Sequence, residues 1–249
     1  KWFKSRYRDG ATIMPYRPRG VPTAVDFDGD GIEEIGMDML SYMAYLRGSD
    51  GEFVYVRHTK NIRTENAVYC GHLYSTFCPI YESDRAKRPH WMVTGGFGPF
   101  GLMKPDPTEG VWQVDHGYDV PPKIGLVDVD GDGRMEVGYA AYYDSTFVCR
   151  DLWTGEEEWT LELPSPPNGP TFSADFDGDG KGEFLIAGFC IGTNDEGKGE
   201  LRWQAPFSMA GGAIADFDGD GVGEIACQTP GKIVILRAKP SSAATTTDR

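Results

Sequence analysis

Apolar residues come in short runs along this chain, and turn-forming residues separate them. Phe184-Leu185-Ile186, Ile225-Ala226 and Ile233-Val234-Ile235-Leu236 are too brief for helices and too rich in branched side chains to favour them. Four such runs, beginning at Ile35, Val137, Phe184 and Ile225, each follow an acidic stretch punctuated by glycine. Small or β-branched residues precede each stretch: Ala24-Val25, Leu126-Val127, Ser173-Ala174 and Ile214-Ala215. A strand, a tight loop and a second strand form a hairpin. Further on, a turn leads into a strand that ends on an aromatic: Gly51 to Tyr55, Gly110 to Trp112, Gly155 to Trp159 and Gly199 to Trp203. That closes a second hairpin, so four strands recur in about 45 residues, the size of a propeller blade.

The acidic stretches are copies of one pattern, DxDGDGxxE, running Asp26 to Glu34, Asp128 to Glu136, Asp175 to Glu183 and Asp216 to Glu224. Their starts lie 102, 47 and 41 residues apart, so the first interval holds two units. A decayed copy fills the gap: residues 82–90 keep Glu82 and Asp84 at positions 1 and 3 but carry Ala86 and His90 at positions 5 and 9. Five repeats predict an all-β chain, a β-propeller of four-stranded antiparallel blades starting near residues 20, 76, 122, 169 and 210. Residues 1–240 form a single domain on this reading, and residues 241–249 a flexible Ser/Thr-rich tail. The fifth unit runs out after Leu236, so residues 1–8, with Trp2 and Phe3, are expected to complete the last blade. The alternative is an excerpt of a seven- or eight-bladed propeller.

The loops have the chemistry of a calcium site. Calcium takes six to eight oxygens at about 2.3–2.6 Å in a flexible shell. Asp at positions 1, 3 and 5 (Asp26, Asp28, Asp30; Asp128, Asp130, Asp132; Asp175, Asp177, Asp179; Asp216, Asp218, Asp220) turns carboxylates inward, and glycines at 4 and 6 allow the left-handed curl. Position 7 offers only a carbonyl, so Ile32, Arg134, Lys181 and Val222 interchange there. Glu34, Glu136, Glu183 and Glu224 close the shell. An EF-hand is excluded, because it needs Glu at position 12, where this chain has Met37, Tyr139, Ile186 and Cys227. In the decayed copy Arg85, Lys87 and Arg88 crowd the loop, so no ion is expected there.

On these motifs the chain resembles the FG-GAP/VCBS repeat family, integrin-α-like calcium-binding propellers that also occur in secreted bacterial proteins, some polysaccharide lyases among them. The resemblance covers about residues 20–240. It implies a propeller with structural calcium at the four complete loops, and says little about activity, which is grafted onto such scaffolds.

All four histidines fall within residues 56–118, around the decayed copy. Cys70, His72, Cys78 and His90 compose a zinc-type donor set, although their spacing matches no familiar finger. The similarity to lyases suggests another use: His72 and Tyr74, with His58 or Arg57, would abstract the proton beside a uronate carboxylate and stabilise the charge that develops. Ordinary strand and loop positions are the third reading of the same residues. No nucleophile elbow, phosphate loop, dinucleotide fingerprint or zinc-protease motif occurs.

Composition narrows the classes further. With 33 glycines, 17 prolines and 12% aromatics in 249 residues, the chain suits many short strands and tight turns. A net charge of −14 argues against nucleic acid as a partner. Sixteen of the 38 acidic residues occupy the ligand positions of the four complete loops, so four divalent ions would bring −14 to −6. No apolar run approaches the roughly 20 residues of a membrane helix. The five cysteines show no disulfide-scaffold spacing and read as free thiols, three of them buried. Such loops fill where calcium is near millimolar, so an extracellular or cell-surface, secreted location is expected. Three functions follow: a module binding an extracellular polysaccharide or protein ligand, a polysaccharide lyase cleaving uronic-acid glycans by β-elimination, or a structural and adhesive element.

Overall fold

The computed structural model describes residues 23–38, 42–58, 73–81, 89–96, 100–105, 110–114, 124–140, 144–167, 169, 171–207, 209, 212–215, 217, 224–229 and 231–237. Of residues 37–38, 42–43, 56–58, 73–77 and 93–96 it describes the backbone. Among these residues there are nineteen strands and no helix.

The strands form five antiparallel sheets in chain order. The first holds β1 (Thr23–Val25), β2 (Glu34–Asp38), β3 (Tyr42–Arg47) and β4 (Phe53–His58). The second holds β5 (Leu73–Ile80), β6 (His90–Gly96), β7 (Phe100–Met103) and β8 (Gly110–Val114). β9 (Gly125–Val127), β10 (Glu136–Ala140), β11 (Thr146–Asp151) and β12 (Glu157–Glu162) make the third. β13 (Thr171–Ala174), β14 (Glu183–Ile186), β15 (Phe189–Thr193) and β16 (Gly199–Gln204) make the fourth. The fifth has three strands among the described residues, β17 (Gly212–Ala215), β18 (Glu224–Thr229) and β19 (Lys232–Leu236). Each strand pairs with the next, as the doubled hairpin requires, and the fold class is the expected one, an all-β propeller of five blades. Residues 1–8 and 241–249, and with them the expected closure and tail, lie outside the described residues.

The registers repeat from blade to blade. The residue before each complete loop faces the Glu that ends it: Val25 faces Glu34, Val127 faces Glu136, Ala174 faces Glu183 and Ala215 faces Glu224. In the second sheet Ile80 faces His90, so nine residues bridge the hairpin instead of eight. The decayed copy, counted from Glu82, is therefore longer by one residue at its strand end. A second regularity joins the third and fourth strands. Tyr45 faces Tyr55, Leu102 faces Trp112, Cys149 faces Trp159 and Cys190 faces Trp203, and a register shift follows each third-strand residue at the same point. Such a bulge bends the outer strand and re-aims its side chains, here setting one aromatic over each sheet.

Residue contacts divide the chain into two compact units, residues 1–122 with 153–155 and residues 123–152 with 156–249. In the first, Val25, Phe27, Tyr45, Trp91 and Met103 form the core, with the Phe27 and Tyr45 rings stacked at 4.2 Å. Trp153 meets the His90 ring edge-on at 5.3 Å. Gly155, at φ +72°, lies so close to Trp112 that a Cβ would sit 2.4 Å from the ring. In the second unit Phe147, Cys149 and Trp159 pack on Phe184, Ile186 and Ile191. Phe176, Leu185 and Cys190 pack on Ile225 and Cys227. Each buried Phe of this kind is worth about 1.5–3 kcal/mol against exposure.

Position 2 of the loop belongs to these cores: Phe27, Val129 and Phe176 are all buried. The fifth sheet departs from this, since Phe217 at the same position is 49% exposed and Ile233 and Ile235 are 76% and 58% exposed. Cys149, Cys190 and Cys227 are buried free thiols, as the sequence suggests, and Cys78 is a half-buried one.

Candidate metal centres

Three loops are described in full, and they share one wiring. The position-1 Asp accepts hydrogen bonds from the N–H groups of positions 4 and 6: Asp26 from Gly29 (2.7 Å) and Gly31 (2.9 Å), Asp128 from Gly131 (2.7 Å) and Gly133 (2.9 Å), and Asp175 from Gly178 (2.6 Å) and Gly180 (3.0 Å). These six glycines have φ between +77° and +90°, the left-handed region that the curl demands. The position-3 Asp accepts from the N–H of position 5, and the position-5 Asp from that of position 7. Glu at position 9 reaches back across the hairpin and accepts from the N–H of position 2: Glu34 from Phe27 (2.9 Å), Glu136 from Val129 (2.7 Å) and Glu183 from Phe176 (2.8 Å). Five N–H groups per loop thus bond to carboxylates.

The same wiring gathers oxygen ligands. In each loop the carboxylates of positions 1, 3 and 9 bring one oxygen apiece to within 4.8 Å of the others: Asp26, Asp28 and Glu34; Asp128, Asp130 and Glu136; Asp175, Asp177 and Glu183. Two oxygens on opposite sides of one calcium ion lie about 5 Å apart, so each trio can touch a single ion. The donors are hard oxygens throughout, which suits calcium or magnesium rather than zinc. Asp30, Asp132 and Asp179, expected at position 5 of the shell, stand outside these trios. Ile32, Arg134 and Lys181 at position 7 vary freely because their side chains leave the loop. Ile32 is exposed, Arg134 pairs with Asp151, and Lys181 lies across Gly131 of the preceding loop.

The closing glutamates are almost wholly buried. Burial pushes the Glu136 carboxyl up to about 8, with repulsion from Glu158, Asp130 and Asp128 added and the Val129 N–H opposing. Glu183 rises to about 7 for the same reason, helped by Asp177, Asp179 and Asp175, and burial raises Glu34 as well. A buried carboxylate that faces two others is an arrangement a divalent cation relieves. Of the fourth loop, Asp216, Asp218, Asp220 and Val222 lie outside the described residues. Glu224 keeps the pattern, buried and accepting from Phe217 N–H at 2.8 Å.

Two loops touch. Gly182 N–H, at position 8 of the third complete loop, donates to the Asp128 carbonyl of the second at 2.8 Å. Only glycine fits there, because a Cβ would fall 1.8 Å from a Val127 methyl. On the other side of that loop, a cavity of about 480 Å³ opens between the fourth and fifth sheets. Asp177 and Glu183 of the metal trio line it together with Arg202, Trp203 and Arg237. Sequence reading missed this cavity and its arginines. The available signal was Gly192 within an apolar strand, which marks a close approach: a Cβ there would meet Arg202 Nε at 2.8 Å.

The other predicted residues are less fully placed. Arg57 and His58 face Met43 and Tyr42 in the first sheet, and Tyr74 is in β5 of the second. Their side chains, and His72 altogether, lie outside the description. Of the zinc-type set, Cys78 Sγ approaches the Pro79 carbonyl at 4.0 Å and the His90 ring packs on Trp153, while Cys70 and His72 lie outside the described residues. Neither Cys78 nor His90 belongs to any of the trios.

No protein-family model matches the chain, and no curated protein matches it. Solved structures do. The Bacillus licheniformis rhamnogalacturonan lyase PL11 is 17% identical with a TM-score of 0.54, covering 84% of this chain and 46% of its own. The V. cholerae biofilm matrix protein Bap1 is 17% identical with a TM-score of 0.56, covering 88% of this chain and 37% of its own. Sqt1 from Saccharomyces cerevisiae is 9% identical with a TM-score of 0.58, covering 89% and 59%. The chain thus spans between 37% and 59% of the length of these structures. At such identities the likeness is one of fold.

Proposed function

We propose that this chain is a calcium-stabilised propeller of the FG-GAP/VCBS type that works outside the cell as a carbohydrate-binding module. The carrying observation is the trio of carboxylate oxygens within 4.8 Å, repeated in three loops with one hydrogen-bond wiring. Asp28, Asp130 and Asp177 with their partners would hold the ion, and calcium there supplies fixed positive charge that draws loop and strand together. Residues of the chain do the rest. The N–H groups of positions 2, 4, 5, 6 and 7 orient the carboxylates, and the buried Glu ties the loop's start to the strand that leaves it. Trp203, half-buried on an outer strand and at the wall of the cavity, offers a flat apolar face on which a sugar ring can stack.

A second reading, polysaccharide lyase, is favoured by the fold likeness to two rhamnogalacturonan lyases, the one above and YesW at 16% identity and a TM-score of 0.55. Its residues would be His72, Tyr74, His58 and Arg57. Glycan-array binding in millimolar calcium and again in EDTA tests the first reading, which expects glycan signals that the chelator removes; a blank array in calcium overturns it. Incubation with polyuronates and rhamnogalacturonan, followed near 235 nm for the unsaturated product, decides the second: absorbance lost in a His72→Ala variant supports it, and a flat trace dismisses it.

A further inference from the structure

The cavity beside the third complete loop combines four features that fit one class of ligand. Its volume of about 480 Å³ suits a sugar unit or two. Trp203, half-buried on β16, forms part of the wall. Two of the metal trio, Asp177 and Glu183, also line it, so an ion in this loop would face the space. Arg202 and Arg237 line it too.

The arginines are set in place. Arg202 Nη1 pairs with Glu200 at 2.7 Å, and Nη2 donates to the Thr193 carbonyl at 2.7 Å. Its guanidinium passes over Gly192, where any side chain would block it. A guanidinium has five N–H donors, so a fork anchored through two of them keeps others for a ligand. Arg237 Nε lies 3.6 Å from Glu224 Oε1. With the loop empty, two carboxylates and two guanidiniums offset each other around the space. A divalent ion would offset the Asp177 and Glu183 charges and place a cation beside the Arg202 guanidinium, which Glu200 pairs from its other side.

We propose that this cavity binds a carboxylated sugar unit, with the ring against Trp203 and the carboxylate held between the Arg202 guanidinium and the loop ion. The site rests on the carbohydrate-binding reading and names its ligand class and its place. Neutral sugars lack the group that the cation and the guanidinium recognise, so they are excluded.

Calorimetric titration of the full chain with digalacturonate, and with galactobiose as the neutral control, tests it. In millimolar calcium the acidic disaccharide is expected to bind saturably and the neutral one about tenfold more weakly or not at all. EDTA should abolish binding while circular dichroism still reports the folded sheets. Trp203→Ala, and Trp203→Leu in case the smaller residue fails to fold, should weaken binding by about tenfold, and Arg202→Gln should narrow the gap between the two sugars by weakening the acidic one alone. Equal affinity in the unaltered chain, binding undiminished in EDTA, or binding unchanged in a folded Trp203 variant each overturns the proposal. If the array detects glycans that a folded Trp203→Leu chain still binds, the cavity proposal falls and the broader reading stands; a blank array in calcium removes both.

Discussion

At the scale of single residues, the glutamate that ends each loop has two duties which substitution can separate. Glu183 accepts a hydrogen bond from the buried Phe176 N–H and also supplies an oxygen to the metal trio. Glu183→Gln keeps an acceptor and removes the charge. It should abolish one calcium site by calorimetry and cost the calcium-free chain less than about 1 kcal/mol, whereas Glu183→Ala orphans a buried N–H and should cost about 2–4 kcal/mol in denaturant unfolding. The acidities of these groups add a pH signature. The carboxyls of Glu136 and Glu183 have an ordinary value of 4.5 and rise in the folded chain to about 8 and about 7. Below 4.5 both states hold the proton and there is no difference. As pH climbs from there the unfolded chain ionises first, so calcium-free stability falls until about pH 8. Calcium favours the ionised form, so the rise in Tm on adding it should be larger at pH 8 than at pH 5; an equal rise at both would argue against these carboxylates as ligands.

At the scale of elements, the contact between neighbouring loops makes a link that neither loop has alone. Gly182 N–H holds the Asp128 carbonyl, and Lys181 of one loop lies across Gly131 of the other. An ion that shifts the carboxylates of one curl would therefore be felt by the next through this bond. Asp175→Asn should weaken calcium at the Asp128 loop by a few-fold as well as at its own, and the Asp26 loop should be indifferent. Gly182→Ala should remove this coupling and cost about 1–3 kcal/mol, because Val127 leaves no room for a Cβ. Independent sites in the unaltered chain would defeat the idea.

Much at this scale was legible in the sequence. The pattern DxDGDGxxE fixed both the curl and the strands that flank it, since glycine at positions 4 and 6 and apolar residues on either side leave the backbone few alternatives. The aromatic ending each outer strand was equally plain. Other features were hidden because they depend on which distant positions meet in space: the position-2 N–H that donates to the closing Glu, the Gly182 contact with the neighbouring loop, and the cavity beside Arg202.

For the molecule as a whole, the proposed calcium would act through charge. A chain of net charge −14 carries sixteen of its acids at the ligand positions of four loops, and filling them would lower that repulsion. Free calcium at about 100 times the dissociation constant adds about 2.7 kcal/mol per site. For a chain of this size each site is then worth roughly 5–10 °C in Tm, so EDTA should lower the melting temperature by at least that amount; an unaltered melt would count against structural calcium. The exposed face of the fifth sheet makes a contrasting prediction. Ile235→Thr should change stability by less than about 0.5 kcal/mol, while Leu185→Thr in the adjoining core should cost several times more, and a large loss at Ile235 would mean that this face is covered in solution.

The five backbone N–H hydrogen bonds that draw up each of the three described loops bear on kinetics. Because backbone N–H groups already hold the carboxylates in a ring, a cation arriving from solution finds its berth assembled and has only to shed water. Uptake should then proceed at a pace set by diffusion and dehydration rather than by refolding.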